Sequence, residues 1–430
     1  AVAQYLAPGT IEFDLVVMDE ASQLTPEDAF GAIARGREVV IVGDSAQMPP
    51  SNFFQSISTN DTEDEDEEAE AATAESILEL AKTSLPESGL IWHYRSQHQE
   101  LIAPANAFSY HHRLIIFPSA VDRRDDRGIK HHYVPDGFFR NQVNLPEAAA
   151  VVGYLVKTLR SYAGIPPMKR ATIGVLTMNA RHQEAISNLL DQARQGDATV
   201  AKILMEEESR GVEPLIVRNL ENFQGDQRDI IVIACTYGSE DPGSDKVHQR
   251  FRSINGTAGK RRFNVAITRA KQQMVVFSSI RSEQVLIGDG KNEGVTDFHR
   301  FLRYCETDRR VAVPDLGSRT GQSMDSPFEE AVAAFLRAEG YTIEPQVGVC
   351  GYFVDLGVRH PRDPGRFALG IECDGATYHS SHAARDRDHL REEILKERDW
   401  NLHRIWSTDW FYGQVKAKQI LLHAVKQACS

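Results

Sequence analysis

The sequence predicts an α/β protein, a doubly wound parallel-sheet region followed by a smaller α/β domain with a different rhythm. Three observations carry this. Residues 13–19 (FDLVVMD) and 38–44 (EVVIVGD) are short apolar runs that each end in an acidic residue, as buried parallel strands with working loops at their C-terminal ends do. Between them, TPEDAFGAIARG offers Thr25 as an N-cap, Pro26 at the first helical position and Gly36 where the helix must stop. From about residue 76 to 310 strand-like and helix-like segments alternate, and after residue 326 the pattern changes.

In chain order, strands are expected at 90–92, 172–177, 214–218, 229–235 and 273–279, and helices at 97–108, 146–163, 179–194 and 259–270. DTEDEDEEAE at 61–70 is an acidic run of the solvated, disordered kind, and PDLGSRTGQSMDS reads as a linker. The last region is expected to hold a helix from Pro327 to Glu339, strands near 342–347, 352–358 and 367–374, a charged helix at 383–398, a strand at 402–406 and a closing helix. The resulting boundaries are 1–56, an acidic linker at 57–75, 76–310, a linker at 311–325, and 326–430.

The 430 residues are 41% hydrophobic and 25% charged, an ordinary globular composition. No apolar run is long enough for a membrane span, and AVAQYLAPGT is not a secretory signal. The chain does not begin with Met, so a processed or cropped fragment is expected. Five scattered cysteines form no CxxC pair, which argues against a zinc ribbon or disulfide framework and for a reducing, cytoplasmic setting. A net charge of −13 is unusual for a nucleic-acid binder, but residues 61–70 supply much of it, whereas Lys260, Arg261, Arg262, Arg269 and Lys271 cluster.

Several short segments carry chemistry. VVMDEAS at 16–22 sets Asp19 and Glu20 at the C-terminal edge of a sheet, where open α/β folds bind ligands. In a nucleotidase Asp19 would hold Mg2+ and Glu20 would polarise the attacking water. VGDSAQMPP at 42–50 places Gln47 where an amide can bond a γ-phosphate or its water. Arg95, Arg262 and Arg269 are candidates to neutralise charge developing on that phosphate, because a guanidinium stays ionised and offers forked donors.

These segments resemble motifs II and III of superfamily-1 helicases, and three others follow in order: 92–118 resembles motif IV, 220–234 motif V and 261–271 motif VI. The resemblance, to the Upf-like and senataxin-like branch, covers roughly residues 11–280. It implies part of a first RecA-like domain, a complete second one, and ATP binding by Asp19, Glu20, Gln47, Arg95, Gln227 and Arg269, with Arg269 as the arginine finger. Gln227 stands where relatives usually carry Glu. The Walker A loop, G-x-x-x-x-G-K-[ST], is not in the sequence, and the family places it ahead of motif II. An upstream part of the same protein is therefore expected to supply it, and this polypeptide alone is expected to hydrolyse ATP poorly or not at all. Thr177, Asn179, Thr236 and Thr268, with Asn255 and Lys260, are candidates for the nucleic-acid backbone.

In the last region, GYFVDLGV and FALGIECDGATYH put Asp355 in one strand and Glu372 and Asp374 in another, the last two on one face by alternation. Three acidic groups brought to one point by apolar strands call for a hard cation such as Mg2+ or Mn2+. This region resembles the Vsr-like branch of PD-(D/E)xK nucleases over about residues 326–412. The resemblance implies that Glu329 orients the site, that Asp355 and Glu372 hold metal, and that His379 gives acid/base help; Arg385, Arg387 and Arg391 would face phosphates. Asp374 stands where the family name places Lys. Trp406, Trp410 and Phe411 read as core aromatics. The expected function is an ATP-dependent DNA helicase or translocase fused to a metal-dependent endonuclease, acting in defence against foreign DNA or in repair. An RNA helicase, or a non-catalytic module binding nucleic acid or a partner, are the other open readings.

Overall fold

A computed structural model describes residues 9, 11–50, 76–121, 126–211, 213–223, 225–244, 246–247, 249–288, 292–307, 323–375 and 382–430, with the side chains of 382–388 set aside. The acidic linker, most of the 311–325 linker and His379 lie outside the described residues.

The first unit is a strand–helix–strand. β1 (Phe13–Met18) and β2 (Gly36–Ile41) pair in parallel around α1 (Pro26–Ile33), and Thr25 caps α1 by accepting the Asp28 amide. Its small core joins Met18, Ala21 and Ala29 to Ile77 and Leu78 of α2 (Ile77–Lys82). The expectation that both strands are buried is corrected: Leu15 is 48% and Val17 59% exposed. Among the described residues β1 pairs only with β2, and this small core leaves the Leu15 and Val17 side chains uncovered.

The second unit is a five-stranded parallel sheet in the order β5-β9-β8-β6-β7, formed by Gly128–Tyr133, Ala270–Ser278, Arg228–Ala234, Ile173–Thr177 and Ile216–Asn219. β6 and β8 are almost wholly apolar, as strands covered on both faces must be. One face packs α4 (Leu145–Ser161), α5 (Ala180–Gly196) and α6 (Ala198–Ser209); the other packs α3 (Ala103–Phe108), α7 (Gly256–Ile267) and α8 (Glu293–Glu306). The helix expected at 97–108 is split into a tight turn at Gln99–Leu101 and α3, since Pro104 lacks the amide a continuous helix needs. The short parallel pair β3 (Trp92–His93) and β4 (Ile115–Ile116) lies at the border with the C-terminal unit.

That unit is a four-stranded sheet, β10 (Ile343–Val349), β11 (Tyr352–His360), β12 (Asp363–Asp374) and β13 (Leu402–Trp406), antiparallel except for the last pair. It is flanked by α9 (Pro327–Ala338), α10 (His382–Lys396), α11 (Ser407–Tyr412) and α12 (Gln414–Ala428). Trp410 is buried as expected, whereas Phe411 is 59% and Trp406 38% exposed, which corrects their placement in the core. The unit shares a core with the second unit, in which Phe117 and Ala120 pack with Val347, Val354, Phe367, Leu395 and Trp400. The main chain is continuous across it, with Ile116 N–H bonding the Cys350 carbonyl and Phe367 N–H that of Ala120.

α7 and α8 cross where Gly259 and Gly294 both lie on the Ile254 backbone; an added Cβ would sit 2.1 Å from Ile254 C and 2.0 Å from its O respectively. Gly259→Ala is therefore expected to lower stability by about 1–3 kcal/mol, the range for overpacking, read as a shift in the denaturation midpoint. An unchanged midpoint would contradict this packing.

Candidate functional sites

The first site is the seam between the first and second units. Val42 and Ala21 continue the β1–β2 pairing, and Gly43 is needed where a Cβ would press 2.9 Å on Ser22 N and on Leu78. Glu20 sits in the left-handed region (φ 52°), its amide bonded to Asp19 Oδ1 at 2.8 Å, so both carboxylates project from the strand end, exposed. Beyond β2, Asp44 Oδ2 accepts from Gln47 Nε2 at 3.0 Å and from the Tyr110 hydroxyl at 2.7 Å.

The second unit reaches this loop through α7 and the bend after it. Asn264 Nδ2 donates to the Ala46 carbonyl and to Tyr110 Oη, both at 3.0 Å. Arg269 is 2% exposed and donates from Nη2 to Gln47 Oε1 at 2.8 Å and from Nε to the Val265 carbonyl. Burial, then the neighbouring Arg95, push its guanidinium down to about 10, while Glu20, Tyr110 and Asp44 oppose the shift; it stays protonated at neutral pH. Arg95 lies alongside, its Nη1 at 3.5 Å from the Thr268 carbonyl. The structure thus brings Glu20, Asp44, Gln47, Arg95 and Arg269 together. Arg262 is half-buried on α7, and Gln227 stands at the start of β8 with its carbonyl accepting from Arg228. Asp44 was legible only as a strand-end carboxylate, and Tyr110, 66 positions from it, gave no signal in the sequence.

The residues expected at the nucleic-acid backbone make local bonds in this structure. Thr177, Thr236 and Thr268 are buried, and their hydroxyls donate to the carbonyls of Asn179, Ala234 and Asn264. Thr236 is held in the left-handed region (φ 67°), its amide bonded to buried Glu147. Asn179 caps α5, Lys260 pairs with Glu293 at 3.1 Å, and Asn255 Oδ1 accepts from Asn292.

The second site is in the C-terminal unit. The register that pairs Leu356 with Ile371 sets Asp355 beside Glu372. Asp355 Oδ2 accepts the Cys373 amide at 2.7 Å, and Glu372 Oε1 accepts the Tyr352 hydroxyl at 3.3 Å. Burial first, then their neighbouring acidic groups, hold both carboxyls well above the ordinary range. Asp374 pairs with Arg404 at 2.9 Å. Ser326 caps α9 by accepting the Glu329 amide and donates to Glu329 Oε1, while Glu329 Oε2 accepts the Asp325 amide and buried Gln346 Nε2. Gln346, at φ 52° in a break of the β10–β11 ladder, lies opposite Asp355 and is a residue the sequence did not flag. Arg391, expected at phosphates, lies instead over the rings of Trp92 (5.3 Å) and Tyr352 (5.9 Å). Arg385 and Arg387 lie on α10. Among the described residues no three His, Cys, Asp or Glu side chains already converge on one point, but two desolvated carboxylates side by side are a donor set that suits a hard cation.

Residues 72–281 match the AAA domain family AAA_12, and residues 328–425 match REase_MTES_1575. By these matches the second unit is similar to a superfamily-1, Upf1-like helicase domain and the C-terminal unit to a restriction-endonuclease-like domain. It is 29% identical over 419 residues to an uncharacterized ATP-dependent helicase, the MG140 homolog, of Mycoplasma pneumoniae, and 30% identical over 415 residues to MG140 of Mycoplasma genitalium. Each alignment takes in 93% of this chain and 35% of the relative, so the chain spans about a third of their length. The solved PRRSV helicase aligns over 65% of this chain and 37% of its own at 14% identity, with a TM-score of 0.29. No helix among the described residues is long and apolar enough to cross a membrane.

The raised carboxyls of the nuclease-like unit make a signed prediction. A folded-state value above the unfolded one contributes stability that is complete below the ordinary carboxylate range, about pH 4, and is lost as pH rises through the raised values. Without divalent metal, Asp355→Asn should therefore gain melting temperature relative to wild type as pH rises from about 4 to about 8. Mn2+ should stabilise the wild type more at the upper end than at the lower. Thermal melts showing the same Asp355→Asn difference at both ends would refute the burial of this pair.

Proposed function

We propose that the chain is the motor-and-nuclease portion of an ATP-dependent DNA helicase or translocase, with a metal-dependent endonuclease at residues 326–430. The motor would comprise the end of a first RecA-like domain (1–56) and a second one (76–310). The observation that carries the motor reading is the buried Arg269 reaching across the seam to Gln47, with Glu20 and Arg95 beside it. Phosphoryl transfer needs positioning and charge neutralisation more than covalent help. Asp19 would hold Mg2+, Glu20 would orient the water, Gln47 would sense the γ-phosphate, and Arg95, Arg262 and Arg269 would neutralise it, with Gln227 toward the ribose. A nucleotide entering here would replace the Arg269–Gln47 bond with bonds to phosphate, a device for reporting its own hydrolysis.

In the nuclease-like unit, Asp355 and Glu372 would hold Mg2+ or Mn2+, which would supply a Lewis acid and a polarised water when bound. Glu329, through Gln346 and the Asp325 amide, fixes α9 against β10 beneath them. Asp374 is tied to Arg404, where the wider nuclease family uses Lys. DNA is favoured over RNA by the restriction-endonuclease-like partner domain. The pairing of a motor with a nuclease supports a role in defence against foreign DNA or in repair.

Two measurements test this on the full-length protein. Arg269→Ala is expected to lower nucleic-acid-stimulated ATP turnover by about 1,000-fold, the lower end for a lost arginine finger. A turnover within a few-fold of wild type would sink the motor assignment. Asp355→Ala/Glu372→Ala should abolish Mg2+- or Mn2+-dependent cleavage of labelled DNA while leaving ATP turnover in place. Equal cleavage by both proteins, or cleavage of RNA alone, would refute the nuclease reading or its DNA preference.

A further inference from the structure

One residue of the nuclease-like unit stands closer to the motor's chemistry than to its own. Arg398 follows α10 and is 1% exposed, one of the largest fully buried side chains described. Its Nη2 donates to the carbonyls of Tyr94 (2.9 Å) and Ser96 (2.7 Å), and its Nη1 to that of Ile394 (2.9 Å). The two carbonyls from the motor flank Arg95 on either side. Arg398 also lies 5.8 Å from the Phe117 ring centroid, inside the shared core. Next to it, Trp400 Nε1 donates to the Pro118 carbonyl at 2.9 Å, and the Arg398 carbonyl accepts the Ala120 amide at 3.0 Å.

The opposite side of the same loop is tied to the motor's sheet. Gln97 N–H bonds the Lys271 carbonyl at 2.7 Å, and Ser96 Oγ donates to the Ala270 carbonyl at 3.3 Å. His93 Nε2 accepts the Ser96 amide at 3.1 Å, and burial beside Arg95 and Arg398 keeps the ring neutral. Arg95 is therefore set between two anchors, β9 on one side and a buried guanidinium from another unit on the other. From that position its own guanidinium reaches the bend that carries Arg269.

We propose that Arg398 is a positioning residue for Arg95, so that the nuclease-like unit sets the nucleotide affinity of the motor. This rests on the reading above that Arg95 reaches nucleotide phosphate. A charge-assisted fork onto two carbonyls fixes a peptide more firmly than neutral bonds would. Removing it leaves those carbonyls without that donor and frees the loop to drift. A shift of about 1 Å in a phosphate-contacting group is enough to cost on the order of 100-fold in function.

The test is a double-mutant cycle in the full-length protein, read by titration with a fluorescent ADP analogue. Arg398→Gln is expected to weaken binding about ten-fold, equivalent to the loss of about 1.4 kcal/mol. In an Arg95→Ala background the same substitution should have no further effect, because the group it positions is gone. Arg398→Lys keeps the charge but not the fork and should fall between; it carries the test if Arg398→Gln melts below the assay temperature. Unchanged affinity in Arg398→Gln and Arg398→Lys, or an equal loss from Arg398→Gln with and without Arg95, would overturn the proposal and leave the motor reading standing. A wild-type protein that binds no nucleotide would overturn the motor reading and this inference with it.

Discussion

A guanidinium is costly to bury unless its charge finds partners, and the arrangement of this molecule follows from what two of them bond. Arg269 crosses from the second unit to Gln47 of the first, and Arg398 from the C-terminal unit to the Tyr94 and Ser96 carbonyls of the second. Burial pushes both down to about 10, so both remain cations at neutral pH and both must keep their partners. The difference between them is in what they hold. Arg269 bonds a side-chain amide, which a phosphate can displace. Arg398 bonds main-chain carbonyls inside a hydrophobic core, which nothing soluble displaces. One junction is built to open and the other to stay shut.

The nuclease-like unit presents the opposite electrostatic problem. Asp355 and Glu372 are brought together by strand register, and burial raises both. Only partial relief is supplied locally, by the Cys373 amide and the Tyr352 hydroxyl. Arg404 pairs with Asp374, and its charge offsets only part of the rise at Glu372. Apolar strands that force carboxylates together without a matching cation store a preference for one from solution, and this is the physical content of the metal assignment. Tyr352 also links the site to the unit border, since it packs against Phe117 at 4.7 Å and lies beneath Arg391.

Most of the fold was legible because its segments obey local rules. The Thr25 cap with Pro26, the apolar strands at 173–177 and 228–234, and the E-x-D strand end of β12 each declare themselves within a few residues. β5 was missed because GIKHHY alternates poorly; its histidines are accommodated by Ser278 and the Phe277 ring of the adjacent β9, partners distant in sequence. α8 could have been found: Asn292 caps it, and Val295, Phe298, Phe301, Leu302 and Cys305 form one apolar stripe. The burial of Thr177, Thr236 and Thr268 was not legible, because a hydroxyl at a strand or helix end can serve a ligand or its own backbone and the sequence does not say which. The shared core was invisible for the same reason. Phe117 and Trp400 are ordinary apolar residues until the fold brings them together.

That core makes the helicase domain's second unit and the nuclease-like unit one body despite the linker between them in sequence. Native-state hydrogen exchange in rising denaturant tests this most directly. The slow amides of Val232 and Val275 in the five-stranded sheet and of Val354 and Ile371 in the four-stranded sheet should converge on one opening free energy. Trp400→Ala should lower all four together, by about 3 kcal/mol or more, as loss of a large buried aromatic does. Separate opening curves for the two sheets, with Trp400→Ala moving only Val354 and Ile371, would contradict a single body.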